Sequence, residues 1–559
     1  MEEILLQKPG KKNILLGNEA IVRGALESGV QFVSTYPGTP ASEIGNTFFK
    51  LSQAGKYKGY FEFSTNEKVA LEAGIGASFS CLKTLVAMKN FGLNVCSDSL
   101  LPFLYTGAKG PTVIIAADDP SCHSSAQSEE NSRAFAFLAH IPILEPSDPQ
   151  ECKDFTELAF KISEKFKIPV MVRTTTRVAH QRAPIKFKKI TRPGCVIGKF
   201  IKEPRRFVTM PPRVLEMKKE LLEKIEKIKQ FSEKSKLNAS LSVSDTDRQK
   251  IGIITSGVSY LYVREALKEL SLNLPVLKLG FFYPLPEKKI QNFIKKFKKV
   301  LIVEELEPYL EKEIERLAKD VNPKLEIIGK KILSEVGELK PEQVILALSK
   351  LMGRKKHKFQ IPDSKFQVPK RSPQLCPGCP YWLVFGAVKK AVDPKKVIFG
   401  GDIGCYMLAG FPPHNIQDYL SCMGSSIGIA HGIKKALQHG SEQVTGQKLI
   451  TFIGDSTFFH SGIPALINTV FNKSNPLIIV MENQTTAMTG HQPHPGAPLV
   501  PNGIKIEKIV RACGVKNLKI IDPINQQEFI NAVKEFLDKS EVSVIIATHP
   551  CIFVAQKNA

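Results

Sequence analysis

Residues 449–485 read LITFIGDSTFFHSGIPALINTVFNKSNPLIIVMENQT and contain two apolar runs separated by a helical segment. The runs at 449–453 and 477–481 are typical of buried parallel strands, because they are short and rich in Ile and Val. Asp455 follows the first run and Asn483 follows the second. The carboxyl ends of neighbouring parallel strands face one crevice, so we expect both side chains to lie at a ligand site there.

The residue types at this edge favour a metal-bound diphosphate. The Asp455 carboxylate, the Asn483 side-chain oxygen and a backbone carbonyl near Thr485 would give Mg²⁺ three oxygen ligands, and two diphosphate oxygens and a water would complete an octahedron. Gly454 allows close backbone approach, and the helix after Ser456 would direct its N-terminus at an anion. A Gly-Asp pair alone is more often a turn, but an Asn after the next strand makes the pattern specific.

This pattern resembles the thiamine-diphosphate motif, whose usual form is GDG followed by NN. Ser456 replaces the second Gly and Glu482 replaces the first Asn. Both departures leave the two metal-ligand positions, Asp455 and Asn483, unchanged. The resemblance therefore implies thiamine diphosphate and Mg²⁺ as cofactors.

The same alternation of apolar runs and helical segments recurs along all 559 residues. It predicts an α/β, multidomain protein with parallel sheets flanked by helices. We expect a first domain at 1–180, a linker with one amphipathic helix at 181–249, a middle domain at 250–354, a second linker at 355–372 and a diphosphate-binding domain at 373–559. The expected helix in the first linker spans about 214–231.

Composition limits the class of protein. The hydrophobic fraction of 43% and the charged fraction of 23% are those of a globular protein, and no run of about 20 apolar residues could cross a bilayer. The N-terminus carries acids before a short apolar patch, unlike a secretory signal, so we expect a cytoplasmic protein with no membrane contact. The net charge of +23 is compatible with an acidic redox partner, whereas the sparse aromatics of the Lys-rich runs argue against nucleic acid.

Glu67 is the candidate partner for the other end of the cofactor. Thiamine diphosphate needs a carboxyl group at N1′ of its aminopyrimidine, which stabilises the tautomer that removes the C2 proton. In FEFSTNEKVALEAGIGAS, residues 61–78, Glu67 opens a helix of small residues directly after a strand-like stretch. A solvated first-turn Glu that favours the helix dipole is the alternative.

Two polar loops of the first segment offer groups for a carboxylate substrate. In STYPGTPASE, residues 34–43, Thr39 or Ser42 could cap the next helix and offer a hydroxyl to an oxoacid, although capping alone would explain them. The loop at 118–133 ends in Arg133, which could pair with a carboxylate or a phosphate. We therefore expect Glu67, Thr39 and Arg133 to be catalytic.

Longer motifs extend the resemblance over nearly the whole chain: YPGTPASEI, TNEKVALEAGIGAS, MKNFGLNV, DDPSCHSSAQSEENSR, LCPGCP, GDIGCYMLAGFPP, CMGSSIGIAHG and the run from GDSTFF to GHQPHPG. The chain resembles the large subunits of 2-oxoacid:ferredoxin oxidoreductases that act on indolepyruvate and other arylpyruvates. The resemblance implies oxidation of an arylpyruvate with coenzyme A to an aryl-acetyl thioester and carbon dioxide, with electrons passing to ferredoxin. It also implies cofactor contacts at Gly404, Cys422, Met423 and Gly424.

Eleven cysteines in a cytoplasmic chain are expected to be ligands or reactive thiols rather than disulfides. The resemblance implies a [4Fe-4S] cluster held by Cys376, Cys379, Cys405 and Cys551, with Cys422 as the reserve ligand. A structural zinc site or a simple turn is the alternative for the CxxC pair.

The chain departs from the family pattern at two places. Tyr381 and Trp382 replace the usual His and Arg after CPGCP, which leaves substrate or coenzyme contacts there open. The large subunits of this family normally include a ferredoxin-like domain with two CxxCxxCxxxC runs, and these 559 residues contain neither run. We therefore expect either a shortened chain or a separate ferredoxin or ferredoxin-like subunit, and the resemblance also implies a smaller beta subunit and a dimer of heterodimers. A non-redox thiamine enzyme and an idle scaffold subunit are the rival hypotheses, and the intact Glu67, Asp455 and Asn483 argue against the scaffold.

Overall fold

Parallel strands alternate with helices throughout the part of the chain that the computed structural model describes, which is residues 2–5, 9–191, 197–241, 251–354, 373–439, 447–498 and 503–558. The chain divides into two units, Met1–Ser364 and Lys365–Ala559. The expected linker at 355–372 lies outside the described residues. None of the described helices is both long and apolar enough to span a membrane.

The first unit contains fourteen described strands and thirteen described α-helices. The strands are β1 (Lys12–Leu16), β2 (Phe32–Thr35), β3 (Tyr60–Phe63), β4 (Thr84–Lys89), β5 (Thr112–Asp118), β6 (Ile143–Leu144), β7 (Val170–Thr175), β8 (Arg182–Lys186), β9 (Ala239–Leu241), β10 (Ile251–Ser256), β11 (Val276–Leu279), β12 (Phe281–Tyr283), β13 (Lys299–Val303) and β14 (Glu326–Ile328). The helices are α1 (Gly17–Glu27), α2 (Ser42–Gln53), α3 (Glu67–Phe79), α4 (Asn90–Thr106), α5 (Ala134–Ala139), α6 (Pro149–Phe166), α7 (Thr176–His180), α8 (Pro204–Phe207), α9 (Arg213–Lys234), α10 (Ser259–Glu269), α11 (Glu287–Ile294), α12 (Tyr309–Val321) and α13 (Pro341–Leu351).

The larger sheet of this unit has the strand order β12-β6-β7-β5-β4-β2-β3. All neighbours are parallel except β12, which runs antiparallel to β6. Every residue of β4, β5 and β7 is buried, as expected for strands covered by helices on both faces. The carboxyl ends of β2, β4 and β5 lie at one edge, and the two polar loops of the first segment follow β2 and β5 there.

The middle segment of the chain is tied into this sheet. Its own five-stranded sheet has the order β14-β13-β10-β11-β9, but β12 leaves that sheet and pairs with β6. The segment expected to be a linker also contributes pairing strands, because β8 pairs with β1 and β9 pairs with β11. Its amphipathic helix, expected at 214–231, is α9 (Arg213–Lys234).

The second unit is built on one five-stranded parallel sheet with the order β15-β16-β17-β19-β18. Its strands are β15 (Val397–Gly400), β16 (Lys448–Gly454), β17 (Leu477–Glu482), β18 (Asn517–Ile521) and β19 (Ser543–Thr548). Its helices are α14 (Tyr381–Ala391), α15 (Ser426–His439), α16 (Asp455–Thr457), α17 (Ile463–Phe471), α18 (Ile506–Ala512), α19 (Gln526–Leu537) and α20 (Ile552–Asn558), with a π-helical turn at Phe458–Gly462. The expected α/β architecture with parallel sheets is confirmed in both units.

Candidate active site

Asp455 and Asn483 lie side by side at the carboxyl ends of β16 and β17. These strands are neighbours, and Gly454 is in register with Met481. Asp455 is the first residue of α16, and Asn483 directly follows β17. The Asp455 carboxylate accepts the backbone N–H groups of Asn483 at 3.0 Å and Gln484 at 2.7 Å. The two strand ends are therefore joined through this carboxylate.

The remaining predicted residues of this edge are buried around the same carboxylate. The other Asp455 oxygen accepts the N–H of Ser456 at 2.8 Å, and Asn483 Oδ1 accepts the N–H of Thr485 at 3.2 Å. Asp455, Asn483 and Thr485 are all less than a tenth exposed. A buried carboxylate and a buried amide oxygen at one strand edge are the donor types that Mg²⁺ takes with a diphosphate.

His494 also faces this carboxylate, although no motif in the sequence singled it out. Its Nδ1 accepts the N–H of Gly496, so the neutral ring carries its proton on Nε2. Nε2 is buried 3.1 Å from Asp455 Oδ2, yet among the described residues it has no aligned hydrogen-bond acceptor. The second His of GHQPHPG was the only sign of it in the sequence.

The loop before α15 is shaped by Asp402. This buried carboxylate accepts the N–H of Gly424 at 2.7 Å and the N–H of Ser426 at 2.9 Å, and burial raises its pKa. Gly424 has a positive φ, and a Cβ there would come within 2.4 Å of Ser461. A side chain is therefore excluded at Gly424, as at Gly404, where a Cβ would meet the ring of Tyr406 at 2.4 Å.

The four cysteines expected to hold a cluster line one cavity of about 200 Å³. They are Cys376, Cys379, Cys405 and Cys551, and Asn483 lines the same cavity. Burial raises the pKa of Cys379 to about 11 and that of Cys405 to about 12, with smaller contributions from the neighbouring thiols. Cys422 is exposed and does not line this cavity, so the structure disfavours it as the reserve ligand.

This cavity differs from a site for a single ion. Among the described residues, no three His, Cys, Asp or Glu side chains are close enough together to bind one metal ion. Thiolates around a four-iron cluster stand farther apart than thiolates around one zinc ion, because each binds a different iron. The four-iron cluster and the zinc alternative for the CxxC pair both stay predictions, which iron and zinc analysis of the purified protein distinguishes.

The two departures from the family pattern pack beside the cavity. Tyr381 is buried and donates its hydroxyl proton to the carbonyl of Met481 at 3.1 Å. The indole N–H of Trp382 donates to the carbonyl of Cys376 at 3.1 Å. Both side chains thus support the backbone around the cavity, a role that the sequence alone left open.

Glu67 in the first unit is the first residue of α3. The preceding residue, Asn66, caps the helix by accepting the N–H of Val69 at 2.9 Å. The Glu67 side chain is buried against α4, where a Cβ on Gly92 would come within 2.6 Å of its Cγ. This burial disfavours the alternative of a solvated first-turn Glu.

The expected capping role of Thr39 and Ser42 is wrong. Helix α2 begins at Ser42, and its N-cap is Ala41, which makes no side-chain hydrogen bond. The Ser42 hydroxyl is buried and has no partner among the described residues. Thr39 is half-buried in the turn just before Pro40. Its hydroxyl does not cap α2, because the N-cap position is occupied by Ala41.

The expected catalytic role of Arg133 is also not supported. Its guanidinium is only 2% exposed, and it pairs with Glu145 at 2.6 Å and with Glu304 at 2.7 Å. It also donates to the Ser256 hydroxyl. The guanidinium is therefore fully engaged inside the unit, and a substrate carboxylate could bind it only by displacing a buried ion pair.

Three protein-family models match the chain. The model for the thiamine diphosphate-binding domain of pyruvate flavodoxin/ferredoxin oxidoreductase matches residues 23–235. The indolepyruvate oxidoreductase domain model matches residues 242–356. The C-terminal domain model of thiamine pyrophosphate enzymes matches residues 402–547, which include Asp455 and Asn483.

Curated relatives align with almost the whole chain. Indolepyruvate oxidoreductase subunit IorA of Methanothermobacter thermautotrophicus is 44% identical over 568 aligned residues, which cover 99% of this chain and 89% of the relative. The chain belongs to the IorA family of indolepyruvate oxidoreductase subunits. The IorA of Pyrococcus horikoshii is 42% identical, covering 98% of this chain and 87% of the relative.

This IorA-family chain is accordingly a thiamine-diphosphate-binding subunit of an oxidoreductase, as its motifs predicted. Because IorA proteins are named as subunits, the chain is one component of a complex. The solved structure of 2-oxoglutarate:ferredoxin oxidoreductase from Magnetococcus marinus superposes with a TM-score of 0.49 and 19% sequence identity. The superposition covers 62% of this chain and 66% of the Magnetococcus marinus chain. That similarity is too low to add to the family assignment.

Proposed function

We propose that the chain catalyses the oxidative decarboxylation of arylpyruvates of the indolepyruvate type. One arylpyruvate, one coenzyme A and two oxidised ferredoxins give one aryl-acetyl-CoA, carbon dioxide, one proton and two reduced ferredoxins. The observation that carries this proposal is the cavity lined by both the four cysteines and Asn483. It brings a candidate electron acceptor next to a candidate cofactor ligand, which a non-redox thiamine enzyme would not need.

The strand edge around Asp455 fits a metal-bound diphosphate. Asp455, Asn483 and the backbone carbonyl of Thr485 would hold Mg²⁺, and Gly454 and Ser456 would lie along the diphosphate. The loop of Cys422, Met423 and Gly424, held by Asp402, would supply backbone contacts. The buried and unaligned Nε2–H of His494 supports the fit, because it leaves a donor for an anion at this edge.

Glu67 fits the aminopyrimidine end of thiamine diphosphate. When bound, the cofactor supplies the nucleophilic carbon that adds to the 2-oxo group and takes up the electron pair released with carbon dioxide. Glu67 would share a proton with N1′ of the aminopyrimidine and so keep the base in its imino form. Its burial beside Gly92 holds the carboxyl group in place and excludes water from it.

The four-cysteine cavity fits a [4Fe-4S] cluster. Cys376, Cys379, Cys405 and Cys551 would be its ligands, and the cluster would accept electrons one at a time. His491 lies beside this group, with Nε2 3.7 Å from the Cys551 sulfur. Such a contact is a normal outer-shell feature that influences the reduction potential of a cluster.

The complex that we propose contains this chain, a smaller beta subunit and a ferredoxin or ferredoxin-like subunit, arranged as a dimer of heterodimers in the cytoplasm. The net charge of +23 supports attraction between this chain and an acidic ferredoxin. The proposed complex binds neither nucleic acid nor a membrane.

The proposal is tested by anaerobic purification of the chain with the smaller beta subunit and without the ferredoxin or ferredoxin-like subunit. We expect a brown protein with about four irons and four sulfides per chain, whose visible absorbance is bleached by indolepyruvate and coenzyme A. The variant Cys379→Ser should lose the iron and the absorbance. Cys513→Ser is the matched control, because Cys513 is also half-buried but lies outside the cavity.

Two results would contradict the redox proposal or its assigned ligands. A colourless wild-type protein that still releases carbon dioxide from indolepyruvate would overturn the redox proposal in favour of a non-redox decarboxylase. A Cys513→Ser variant that loses iron as completely as Cys379→Ser would remove the support for the assigned ligands.

A further inference from the structure

Lys89 is a buried lysine at the edge of the larger sheet where the polar loops meet. It is the last residue of β4, and α4 begins at the next residue, Asn90. The whole residue is 8% exposed. A lysine is rarely buried to this degree without a full set of partners, because removing an ammonium group from water is costly.

The partners of the Lys89 ammonium do not satisfy it fully. It donates to the carbonyl of Ser124 at 2.9 Å and lies 5.0 Å from the centre of the Phe91 ring, and the nearest carboxylate oxygen, on Asp119, forms an ion pair with it at 3.9 Å. That distance is beyond a hydrogen bond, and Asp119 already accepts from Ser124, Ser125 and Thr176. An ammonium group has three donors, so an anion beside Lys89 would meet an incompletely paired charge.

Lys89 also lies next to the residues that the proposed function uses. A Cβ on Gly38 would come within 2.9 Å of the Lys89 Cβ, so the turn that carries Thr39 packs directly against it. Three residues beyond Lys89, Gly92 packs against Glu67. Lys89 thus lies between the Thr39 turn and the region of Glu67, at the carboxyl end of a central strand.

We propose that Lys89 binds the carboxylate of the 2-oxoacid substrate, the role that Arg133 cannot fill. This inference rests on the proposed function, because it assumes that a 2-oxoacid reacts near Glu67. Arg133 is held by two buried carboxylates, whereas the Lys89 ammonium makes one hydrogen bond to a carbonyl and a loose ion pair with one carboxylate. An ionic hydrogen bond from Lys89 would place the carboxylate beside the Thr39 turn and direct the 2-oxo carbon away from it.

The proposal is tested with two unreactive ligands, indole-3-propionate and indole-3-propionamide, which differ only in the charge of the end group. The wild-type complex should bind the acid at least about tenfold more tightly than the amide, as measured by calorimetry. Lys89→Met keeps the apolar stem and removes the charge, so it should lose most of that preference. The KM for indolepyruvate should rise by a similar factor, while the affinity for thiamine diphosphate stays unchanged.

Lys83→Met is the matched control. Lys83 precedes β4 at the opposite edge of the sheet, is also partly buried and also donates to a backbone carbonyl, that of Ser28 at 2.8 Å. It should retain the preference for the acid. Equal preference in Lys89→Met and wild type, or equal loss in both lysine variants, would overturn the proposal.

A measurement on the wild-type complex covers the case in which Lys89→Met does not fold. Acetylation of Lys89 and Lys83 by acetic anhydride is followed by mass spectrometry with and without each ligand. Indole-3-propionate should slow acetylation of Lys89 several-fold and leave Lys83 unaffected, and equal labelling of Lys89 with and without the acid would overturn the proposal. A wild-type complex that does not oxidise arylpyruvates at all would instead refute the proposed function.

Discussion

The Asp455 carboxylate is held by three backbone N–H groups before any metal is considered. These bonds fix its position, so it does not depend on the metal for its orientation. The same bonds use only part of its acceptor capacity, because a carboxylate offers about four lone pairs. The residue therefore joins the strand ends and still has a lone pair available to bind a cation.

Asp455→Asn should weaken Mg²⁺-dependent binding of thiamine diphosphate by more than about 100-fold. The amide keeps one oxygen for the backbone but loses the charge, and loss of a direct ligand should exceed the ~10–100-fold effect of an outer-shell partner. Calorimetric titration with thiamine diphosphate at saturating Mg²⁺ measures the change. Asp538→Asn, on the surface at the end of α19, should bind like wild type, and unchanged affinity in Asp455→Asn would exclude Asp455 as a ligand.

The charge of Lys89 should make substrate binding depend on pH. Burial lowers the pKa of Lys89 to about 8, and the acidic groups around it, Asp119, Cys122 and Glu130, raise it only partly. The ammonium is therefore lost as pH rises through about 8, and the KM for indolepyruvate should increase between pH 7 and pH 9. Lys89→Arg stays charged over this range, so its KM should change little with pH. A wild-type KM that is flat over the range would contradict the prediction.

Helices α3 and α4 pack closely because glycine lies at their contact. Gly92, in the first turn of α4, faces Glu67 in the first turn of α3, and a Cβ there would also come within 2.9 Å of Met88. Both neighbours are buried, so neither has room to move away. The approach of these two helices sets the position of the Glu67 carboxyl group.

Gly92→Ala should reduce kcat for indolepyruvate oxidation by about 100-fold, because a displacement of about 1 Å at a catalytic group can have that effect. It should also lower the thermal unfolding temperature through overpacking. Gly76→Ala in α3 is the control, since nothing lies within 4 Å of its Cβ, and it should keep full activity and gain about 0.5–1 kcal/mol of stability. Full activity in Gly92→Ala would show that Glu67 tolerates a shift.

Across the whole first unit, Arg133 joins parts of the chain that are far apart in sequence. It pairs with Glu145 after β6 and with Glu304 after β13, and its guanidinium lies 4.5 Å from the ring centre of Phe282 in β12. Arg133 and Arg173 lower the pKa of Glu145 to about 2, although burial alone would raise it. The larger sheet and the middle-segment sheet therefore share one buried network of charges.

Arg133→Leu should lower the free energy of unfolding by roughly 3–5 kcal/mol, because it leaves Glu304 buried without its cation and Glu145 paired with Arg173 alone. Urea unfolding followed by circular dichroism measures the change. Arg316→Leu removes an exposed pair with Glu287 and Glu313 in the same unit and should cost less than about 1 kcal/mol. Equal effects from the two variants would show that the buried network contributes no more than a surface pair.

The features that the sequence predicted well are those encoded by short, local patterns. Asp455 and Asn483 each follow an apolar strand directly, so the parallel sheet alone brings them together. The pairing of Arg133 with Glu304 and the pairing of β12 with β6 depend on contacts across more than 100 residues, which no local pattern encodes. The proposed role of Lys89 could not be predicted from the sequence either, because its burial and its incomplete hydrogen bonding are seen only in the folded structure.

The pairing of β12 with β6 has a consequence for synthesis of the chain. Strand β6 leaves the ribosome roughly 140 residues before β12, a delay of about 7–30 s at ~5–20 residues per second. During that time its edge, with the apolar residues Ile143 and Leu144, is open to pairing with other nascent chains. The first segment is therefore expected to need a holding chaperone until residue 283 emerges, and a fragment that ends before β12 should aggregate.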